Sequence, residues 1–350
     1  MAADQLRALL SRPVVVAPMA GGPSTPALVA AAAEAGALGF LASGYKSAEA
    51  VAAEIAAVRA ATSRAFGVNV FVPGTPAAES ARTARYLASL SRDAEATGAV
   101  LGEPAWDDDG WPAKVELLLA DPPPIVSFTF GCPSREIVQA FQRAGSAVAV
   151  TVTHPDEARL AAGTGADCLC VQGTEAGAHR GTFGNDHRCA EGIGLLALVA
   201  AVRQVTGLPQ LAAGGIMTPR DVAAVLAAGA VAVQCGTAFL RCPESGVHPV
   251  HKAALGDSRF TSTALTRAFS GRPARGLVNQ FMLDHRDAPA AYPEINNVTR
   301  PLRAAAARLG DAGRMSLWAG TGFRQATERP AAEMVDYLAA ATSRPRRAGA

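Results

Sequence analysis

The chain has a high content of apolar residues and a low content of charged residues. It has 350 residues, of which 49% are hydrophobic and 18% are charged, and its formal net charge is +2. This apolar content can fill one large core, alone or with a satellite domain. The arginines are dispersed, which argues against a nucleic-acid partner. The apolar stretches are interrupted before they reach membrane-spanning length, and the first residues do not resemble a secretory leader. We therefore expect a cytoplasmic protein with no membrane partner.

Short runs rich in Val, Ile and Phe alternate with alanine-rich segments along the chain. Runs that are apolar on both faces and separated by helices are typical of a parallel sheet covered by helices. Eight such units predict an α/β fold, the TIM (β/α)8 barrel, with an open doubly wound sheet as the alternative. The runs cover residues 14–19, 38–43, 66–71, 125–130, 147–152, 168–173, 209–215 and 230–237.

Two connections are longer than ordinary ones, at residues 72–124 and after residue 238. The second predicts a small helical lid or substrate domain over the barrel mouth. We expect a barrel over residues 1–239, the lid over 240–315, and a return segment with a C-terminal helix packing on the barrel over 316–350. The last eight residues are expected to fray.

The helix after the seventh run carries the clearest local signals. Thr218 stands at its N-cap, Pro219 at its first position, Asp221 as the capping-box partner and Gly229 just past its end.

Six cysteines lie mostly inside apolar runs and form no pair of CxxC units. We interpret them as reduced core residues and expect no metal site. They are Cys132, Cys168, Cys170, Cys189, Cys235 and Cys242.

Glycine and amide residues cluster where the predicted strands end, which is where a barrel places its chemistry. Glycines let a backbone approach a flat or phosphorylated ligand, and amides both donate to and accept from a heterocycle. This pattern predicts a cofactor seat. The residues at these ends include Met19, Ala20, Asn69, Gln172, Gly177, Gly214, Gly215, Gln234, Gly236 and Thr237.

A phosphate position follows from the seventh and eighth strands. Backbone N–H groups after Gly214 and Gly215, and those of Gly236 and Thr237, can converge on an anion at helix N-termini. A tight strand-to-helix turn is the alternative interpretation of the glycine pair.

Seven segments form an ordered set of motifs between residues 13 and 325. They read "APMAGGPSTPALVAAAAEAGALGFLASGY", "FGVNVFVP", "VSFTFGCPS", "VQGTEAGAHRG", "LPQLAAGGI", "VQCGTAFL" and "SLWAGTGF". Together they resemble the nitronate monooxygenase family, formerly called 2-nitropropane dioxygenases. The resemblance implies a TIM barrel with non-covalent FMN and an active-site histidine at His179. It implies FMN contacts at Asn69, Gln172, Gly177, Gly214, Gln234, Gly236 and Thr237.

Two positions depart from the family pattern. Ala178 stands where relatives commonly have a second glycine before the histidine, and Thr321 stands where a glutamine is frequent. The resemblance therefore leaves the natural substrate open. Flavin-dependent enoyl and quinone reductases share the same barrel, so the fold cannot choose among these activities.

The stretch "CVQGTEAGAHRGTFG" places His179 between two glycines after the sixth strand. Strand alternation puts Cys168, Cys170 and Gln172 on one face. If Gln172 points toward a flavin edge, the two cysteines line the barrel interior beneath it, and Gly173 and Gly177 let the loop fold so that His179 lies above the flavin. An imidazole with an ordinary pKa of about 6.5 can take the acidic proton beside a nitro group or donate a hydrogen bond to it.

Four further residues are candidates for substrate contact. Tyr45, Tyr292 and Trp318 are predicted as aromatic walls, with core packing as the alternative. Lys46 follows the second strand and pairs with a phosphate or substrate anion, or is a solvated lysine at a helix start.

The sequence thus predicts FMN-dependent oxidation of alkyl nitronates by O2 to a carbonyl compound and nitrite, with nitroalkanes as further substrates left open. The small-molecule substrate and O2 are the expected partners, and a homodimer is left open. An NAD(P)H-dependent flavin reductase is the first alternative. A flavin-free phosphate-binding lyase or isomerase is the second.

Overall fold

The computed structural model describes residues 9–78, 80–186 and 192–340. The expectations for Cys189, for the first eight residues and for the frayed tail lie outside these ranges.

Eleven strands are present in the described residues, and eight of them close a parallel barrel in the order β1-β2-β3-β4-β5-β6-β8-β9. Val15 of β1 pairs with Leu38 on one side and with Gln234 on the other, which closes the ring. The TIM barrel is confirmed, and the open-sheet alternative is wrong. The strands are β1 (Val14–Val16), β2 (Leu38–Ala42), β3 (Phe66–Phe71), β4 (Ile125–Thr129), β5 (Ala147–Val152), β6 (Cys168–Gln172), β7 (Ala178–His179), β8 (Gln210–Ala213), β9 (Ala232–Cys235), β10 (Thr263–Thr266) and β11 (Ala274–Leu277).

Thirteen helices are present in the described residues, and some of them connect the barrel strands and cover their outer faces. They are α1 (Pro26–Glu34), α2 (Ala48–Ala61), α3 (Ala81–Ser89), α4 (Ser91–Thr97), α5 (Trp111–Ala120), α6 (Arg135–Ala144), α7 (Pro155–Thr164), α8 (Leu195–Arg203), α9 (Pro219–Ala227), α10 (Pro249–Gly256), α11 (Gln280–Asp284), α12 (Glu294–Leu309) and α13 (Ala331–Ala339). Helix α9 begins at the predicted place, with a capping box formed by Thr218 and Asp221. No helix of the described ranges combines the length and apolar character that crossing a bilayer requires.

Each barrel strand is apolar on both faces because each face meets a different layer. In β6, Leu169 and Val171 pack with the outer helices, whereas Cys168 belongs to an apolar cluster with Val15 and Leu211 from other strands. The next inward residues of β6, Cys170 and Gln172, line a cavity above that cluster. The inward face therefore changes from an apolar plug to a polar floor toward the carboxyl ends of the strands.

The layer over the barrel mouth comes from two separate parts of the chain. Tyr86 of α3 packs in one buried cluster with Phe269, Phe281 of α11 and Ile295 of α12. Strands β10 and β11 add an antiparallel sheet, which β7 joins. This layer thus contains α11, α12, a three-stranded sheet and part of the first long insertion. The boundaries at residues 239 and 315 remain predictions.

The return segment reaches both the lid and the barrel. Trp318 forms a β-bridge with Gly276 of β11. Helix α13 buries Met334, Val335 and Leu338 in the same cluster as the outer residues of β1. This helix packs on the barrel.

Candidate active site

A cavity of about 600 Å³ lies at the carboxyl ends of the barrel strands, a volume ordinary for a small-molecule site. All ten residues predicted for the cofactor seat line it, and His179, Tyr45, Lys46 and Trp318 line it as well. Tyr292 is outside this lining set, and its hydroxyl lies 3.2 Å from that of Tyr45. The ten residues are Met19, Ala20, Asn69, Gln172, Gly177, Gly214, Gly215, Gln234, Gly236 and Thr237.

Two amide side chains on the cavity floor are fixed by hydrogen bonds. Asn69 is buried, and its Nδ2 donates to Ser127 Oγ at 2.9 Å and to Thr129 Oγ1 at 3.0 Å. Gln234 Nε2 donates to the Cys170 sulfur at 3.0 Å. Ser127 and Thr129 lie on β4, next to the strand of Asn69, and Cys170 lies on β6, two strands away from Gln234. The orientation of both amides is therefore set by the barrel itself.

Gln172 ties the floor to the loop that carries His179. Its Nε2 donates to the backbone oxygen of His179 at 3.0 Å, and its Oε1 accepts from the backbone N–H of Gly181 at 2.8 Å. The sequence predicts this amide at the edge of a flavin, and in the structure both of its ends bond to the loop. Gln172 therefore orients the histidine in addition to lining the cavity.

Glycines form a rim where backbones approach closely. Gly214 and Gly215 have φ angles of +131° and +70°, a left-handed conformation that side chains rarely adopt. A Cβ added to Gly215 would lie 3.0 Å from the Glu175 Cβ. One added to Gly177 would lie 2.6 Å from the carbonyl carbon of Ala319. The rim requires glycine at these places for steric reasons alone.

The two loops of the predicted phosphate position differ in what they offer. At the start of α9, the N–H groups of Met217 and Thr218 donate to Asp221 Oδ2 at 3.0 and 2.9 Å, so a protein carboxylate already takes them. After β9, the Thr237 hydroxyl accepts from Gly320 N–H at 2.9 Å. The phosphate prediction therefore depends on the glycine backbones themselves rather than on the N-terminus of α9.

His179 stands at the edge of the lid sheet and faces the cavity. It pairs with Ala274 of β11, and its Nε2 lies 2.8 Å from Ser270 Oγ. The ring centroids of Phe130, Tyr292 and Trp318 lie 5.7, 5.8 and 5.5 Å from that of the imidazole. The histidine is thus held in an aromatic enclosure that limits its movement.

Burial and two arginines keep the imidazole neutral. Desolvation, followed by the charges of Arg272 and Arg303, lowers the pKa of His179 to about 3. Burial also lowers the pKa of Arg303 to about 10, and its Nη2 donates to Asn296 Oδ1 at 2.8 Å. At neutral pH the site therefore combines an uncharged imidazole with two nearby cations.

Sequence reasoning missed these arginines and Ser270. Arg272 lies 4.1 Å from the Phe130 ring centroid and donates to the Thr182 and Gly184 carbonyls. A signal for Ser270 and Arg272 is present in "SGRP", a turn-forming sequence with a cation. Arg303 lies three residues after Arg300, so both project from one side of α12, and both line the cavity.

Tyr45 and Lys46 each donate a hydrogen bond to a protein carboxylate. The Tyr45 backbone has φ +67°, and its N–H donates to Asp109 Oδ1 at 2.7 Å. Asp109 in turn pairs with Lys114, whose side chain is fully buried. Lys46 Nζ bonds to both carboxylate oxygens of Glu54, at 2.8 and 2.7 Å. The structure thus gives Lys46 a protein partner while leaving it at the cavity wall.

Metal chemistry has no evident ligand set in the described part of the chain. No three His, Cys, Asp or Glu side chains come together there to hold an ion. The five cysteines of these ranges are free thiols.

A closed barrel whose open end holds fixed amides, a glycine rim and a partly buried histidine defines a TIM-barrel enzyme of small organic molecules. The chain belongs to the nitronate monooxygenase family, because the family model described as nitronate monooxygenase matches residues 4–341. The resemblance seen in the motifs is confirmed.

Known relatives and structures support this placement. The chain is 41% identical over 343 residues to nitronate monooxygenase of Pseudomonas aeruginosa. The aligned region covers 94% of this chain and 95% of the relative. It is similar to the crystal structure of nitroalkane oxidase from Streptomyces ansochromogenes, with 50% identity, a TM-score of 0.93 and coverage of 96% and 97%. It is also similar to FabK from Thermotoga maritima, with 26% identity, a TM-score of 0.71 and coverage of 96% and 93%.

Proposed function

We propose that this protein uses FMN to oxidise alkyl nitronates with O2, giving a carbonyl compound and nitrite, and that it also accepts neutral nitroalkanes. The observation that carries the proposal is the cavity itself. All ten predicted cofactor residues and His179 line this one cavity. The two relatives named for nitronates and nitroalkanes, which match nearly the whole chain, support the same chemistry.

The residues of the cavity fit FMN. Gly214 and Gly215 have no side chain, so a flat ring and a phosphate can approach the backbone atoms of the rim. A side chain at either position would be strained. Gly236 is more open, because an added Cβ would meet only Met19 and Ala17 at ordinary contact distances. Asn69 and Gln234, fixed in the floor, are suited to the polar edge of a heterocycle. When bound, FMN would supply the electron transfer and the reaction with O2.

The chain's own residues hold the substrate and handle its proton. Arg272 and Arg303 place positive charge near His179, which favours a nitronate anion over its neutral parent. The same charges, with burial, lower the pKa of His179 to about 3. The imidazole is therefore neutral at pH 7 and free to accept a proton from the carbon beside a nitro group. The aromatic rings of Phe130, Tyr292 and Trp318 surround the imidazole.

The cellular setting follows from the same features. The five free cysteines of the described residues suit a reducing compartment, and we include a cytoplasmic location in the proposal.

The test compares two substrates in His179→Asn, a polar replacement that cannot act as a base at neutral pH. Turnover of a neutral nitroalkane should fall by about 10²- to 10⁴-fold, the usual contribution of a positioned proton acceptor. Oxidation of a preformed nitronate should fall much less, because that proton is already gone. Nitrite release and O2 uptake are the measurements, on variants with equal FMN content.

Equal losses with both substrates would assign His179 to orienting the nitro group. Full activity of the variant with both would remove it from the mechanism. The absence of nitrite from wild-type protein with either substrate would refute the proposed function.

A further inference from the structure

Four residues other than glycine have a left-handed backbone in the described part of the chain, and all four lie at or beside the cavity. Tyr45, Phe130 and Ala178 have φ angles of +67°, +77° and +61°, and all three line the cavity. The fourth, Asp109, has φ +56° and bonds to Tyr45. Side chains rarely adopt this conformation, and it persists only where surrounding contacts enforce it. The contacts that enforce it at Tyr45 therefore shape the cavity wall.

Asp109 makes the short polar contact to the Tyr45 backbone. Its Oδ1 accepts from the Tyr45 N–H at 2.7 Å, and its side chain is 16% exposed. On the other side of the same residue, Arg300 Nη2 lies 3.5 Å from the Tyr45 carbonyl oxygen, which is long for a hydrogen bond. A hydrogen bond to a carboxylate is of the stronger, charge-assisted kind. Asp109 is therefore the better placed of the two to hold this backbone.

Lys114 fixes the carboxylate that holds Tyr45. Its Nζ donates to Asp109 Oδ2 at 2.7 Å, and its side chain is fully buried. Lys114 stands near the start of α5, directly after the turn at Asp109 and Gly110. A buried cation is stable only with a partner, so the carboxylate cannot turn away from Lys114 at low cost. With Oδ2 held in this way, Oδ1 is fixed toward Tyr45.

The Tyr45 side chain connects this contact to the surroundings of His179. Its hydroxyl lies 3.2 Å from that of Tyr292, and the ring centroid of Tyr292 lies 5.8 Å from that of the imidazole. Asp109 and Lys114 themselves are outside the set of residues that line the cavity. They can therefore act on a bound molecule only through Tyr45.

We propose that Asp109, fixed by Lys114, is a positioning residue that holds Tyr45 in its left-handed conformation as part of the wall against which the substrate binds. This inference rests on the proposed function. Without the contact, the Tyr45 backbone relaxes to an ordinary conformation and its ring leaves the wall, so substrate binding weakens. The chemistry at His179 changes much less, because Gln172 and β11 hold the histidine.

Two double variants, both loaded with FMN, differ in the acceptor that they offer to Tyr45. Asp109→Asn/Lys114→Met keeps a side-chain oxygen for the Tyr45 N–H, and Asp109→Gly/Lys114→Met does not. Neither leaves a buried cation without a partner, and Asn and Gly both tolerate a left-handed backbone. We expect the KM for an alkyl nitronate to be about 3- to 10-fold higher in the glycine variant, the effect of one hydrogen bond. The kcat should differ much less.

Crystal structures of the two variants give a result that needs no turnover. Residue 45 should keep a positive φ in the asparagine variant and lose it in the glycine variant. A positive φ retained in the glycine variant would overturn the proposal, and so would equal KM values in the two variants. A fall in kcat as large as the rise in KM would indicate a merely structural pair and contradict the proposal too. If wild-type protein releases no nitrite, the proposed function fails, and the structures still decide what Asp109 does to Tyr45.

Amide hydrogen exchange of wild-type protein replaces the comparison if the glycine variant does not fold. The Tyr45 N–H should exchange slowly, as a hydrogen-bonded amide does. Exchange at the rate of an unprotected amide would overturn the proposal.

Discussion

The residue before the histidine has an unusual backbone. Ala178 has φ +61°, which places a side chain in the left-handed conformation at a cost of about 1–2 kcal/mol. Relatives with the common family pattern have glycine in this place. The departure noted in the sequence therefore coincides with local strain next to His179, where strain is typical of functional sites.

Ala178→Gly should relieve this strain. Glycine loses about 0.5–1 kcal/mol more backbone entropy on folding, so the net gain in the free energy of unfolding should reach at most about 1 kcal/mol. Ala53→Gly, in an exposed position of α2, is the matched control and should lose about 0.5–1 kcal/mol. Denaturant unfolding measures both, and a loss of stability in Ala178→Gly would contradict the strain.

The role of His179 is predicted from the sequence and stays a prediction, but the sequence does not predict how the fold shifts its pKa. The glycines around it and its place after a strand are local signals. Its low pKa depends on Arg272 and Arg303, which lie far along the chain and reach it only through the folded lid. The sequence alone therefore gives only the ordinary pKa of about 6.5, whereas burial and these charges lower it in the folded protein.

At the scale of elements, α10 and the return segment are joined by a second buried histidine. His251 Nε2 donates to the Trp318 carbonyl at 3.1 Å, and Trp318 packs against His179. Burial lowers the pKa of His251 to about 4, in spite of that hydrogen bond. His251 thus helps to place Trp318 in the wall of the site.

This low pKa predicts acid sensitivity. The unfolded chain binds the proton at a pKa of about 6.5 and the folded chain only near 4, so stability rises with pH across this window and is lost as pH falls through it. In His251→Gln, whose amide can still donate to Trp318, the slope between pH 6 and 4.5 should be smaller by up to about 1.4 kcal/mol per pH unit. Denaturant unfolding at several pH values measures this, and an unchanged slope would contradict the assignment.

The end of β9 offers a test of the cofactor seat. Gly236 has φ −107°, and a Cβ there would lie 3.5 Å from Met19 Sδ and 3.6 Å from Ala17 Cβ. Gly236→Ala should therefore fold and keep FMN. Gly236→Asp adds a negative charge where a phosphate is expected and should weaken FMN binding severely.

Titration of flavin fluorescence with apoprotein gives the FMN affinity of both variants. FMN binding by a folded Gly236→Asp variant at wild-type affinity would remove Gly236 from the phosphate position.

Element prediction succeeded where the signals are local. The cap of α9 is encoded by Thr218, Pro219 and Asp221, which lie within four residues. The barrel strands are encoded by runs that are apolar on both faces. The lid sheet was missed because β7 has two residues, and its partner β11 is distant in sequence. Such pairing leaves no periodic pattern to find.

At the scale of the molecule, the barrel provides the floor of the site, the loop after β6 provides His179, and the segment after β9 provides two cations. Asn69, Gln172 and Gln234 come from barrel strands, whereas Ser270, Arg272 and Arg303 come from the segment after β9. The positions of the floor residues could be predicted, because these residues lie at the carboxyl ends of strands that the apolar runs indicate. The positions of Ser270, Arg272 and Arg303 depend on the packing of α3 and α4 against the later helices. The sequence does not reveal this packing.

The most direct test of the central claim is anaerobic mixing of the FMN-loaded protein with either an alkyl nitronate or a reduced nicotinamide. The account predicts that the nitronate removes the absorbance of oxidised flavin, while NADH and NADPH leave it unchanged on the same time scale. Reduction by NADH or NADPH alone would contradict the account and indicate a flavin reductase on the same barrel. A protein that takes up no FMN would contradict it as well and indicate a flavin-free enzyme.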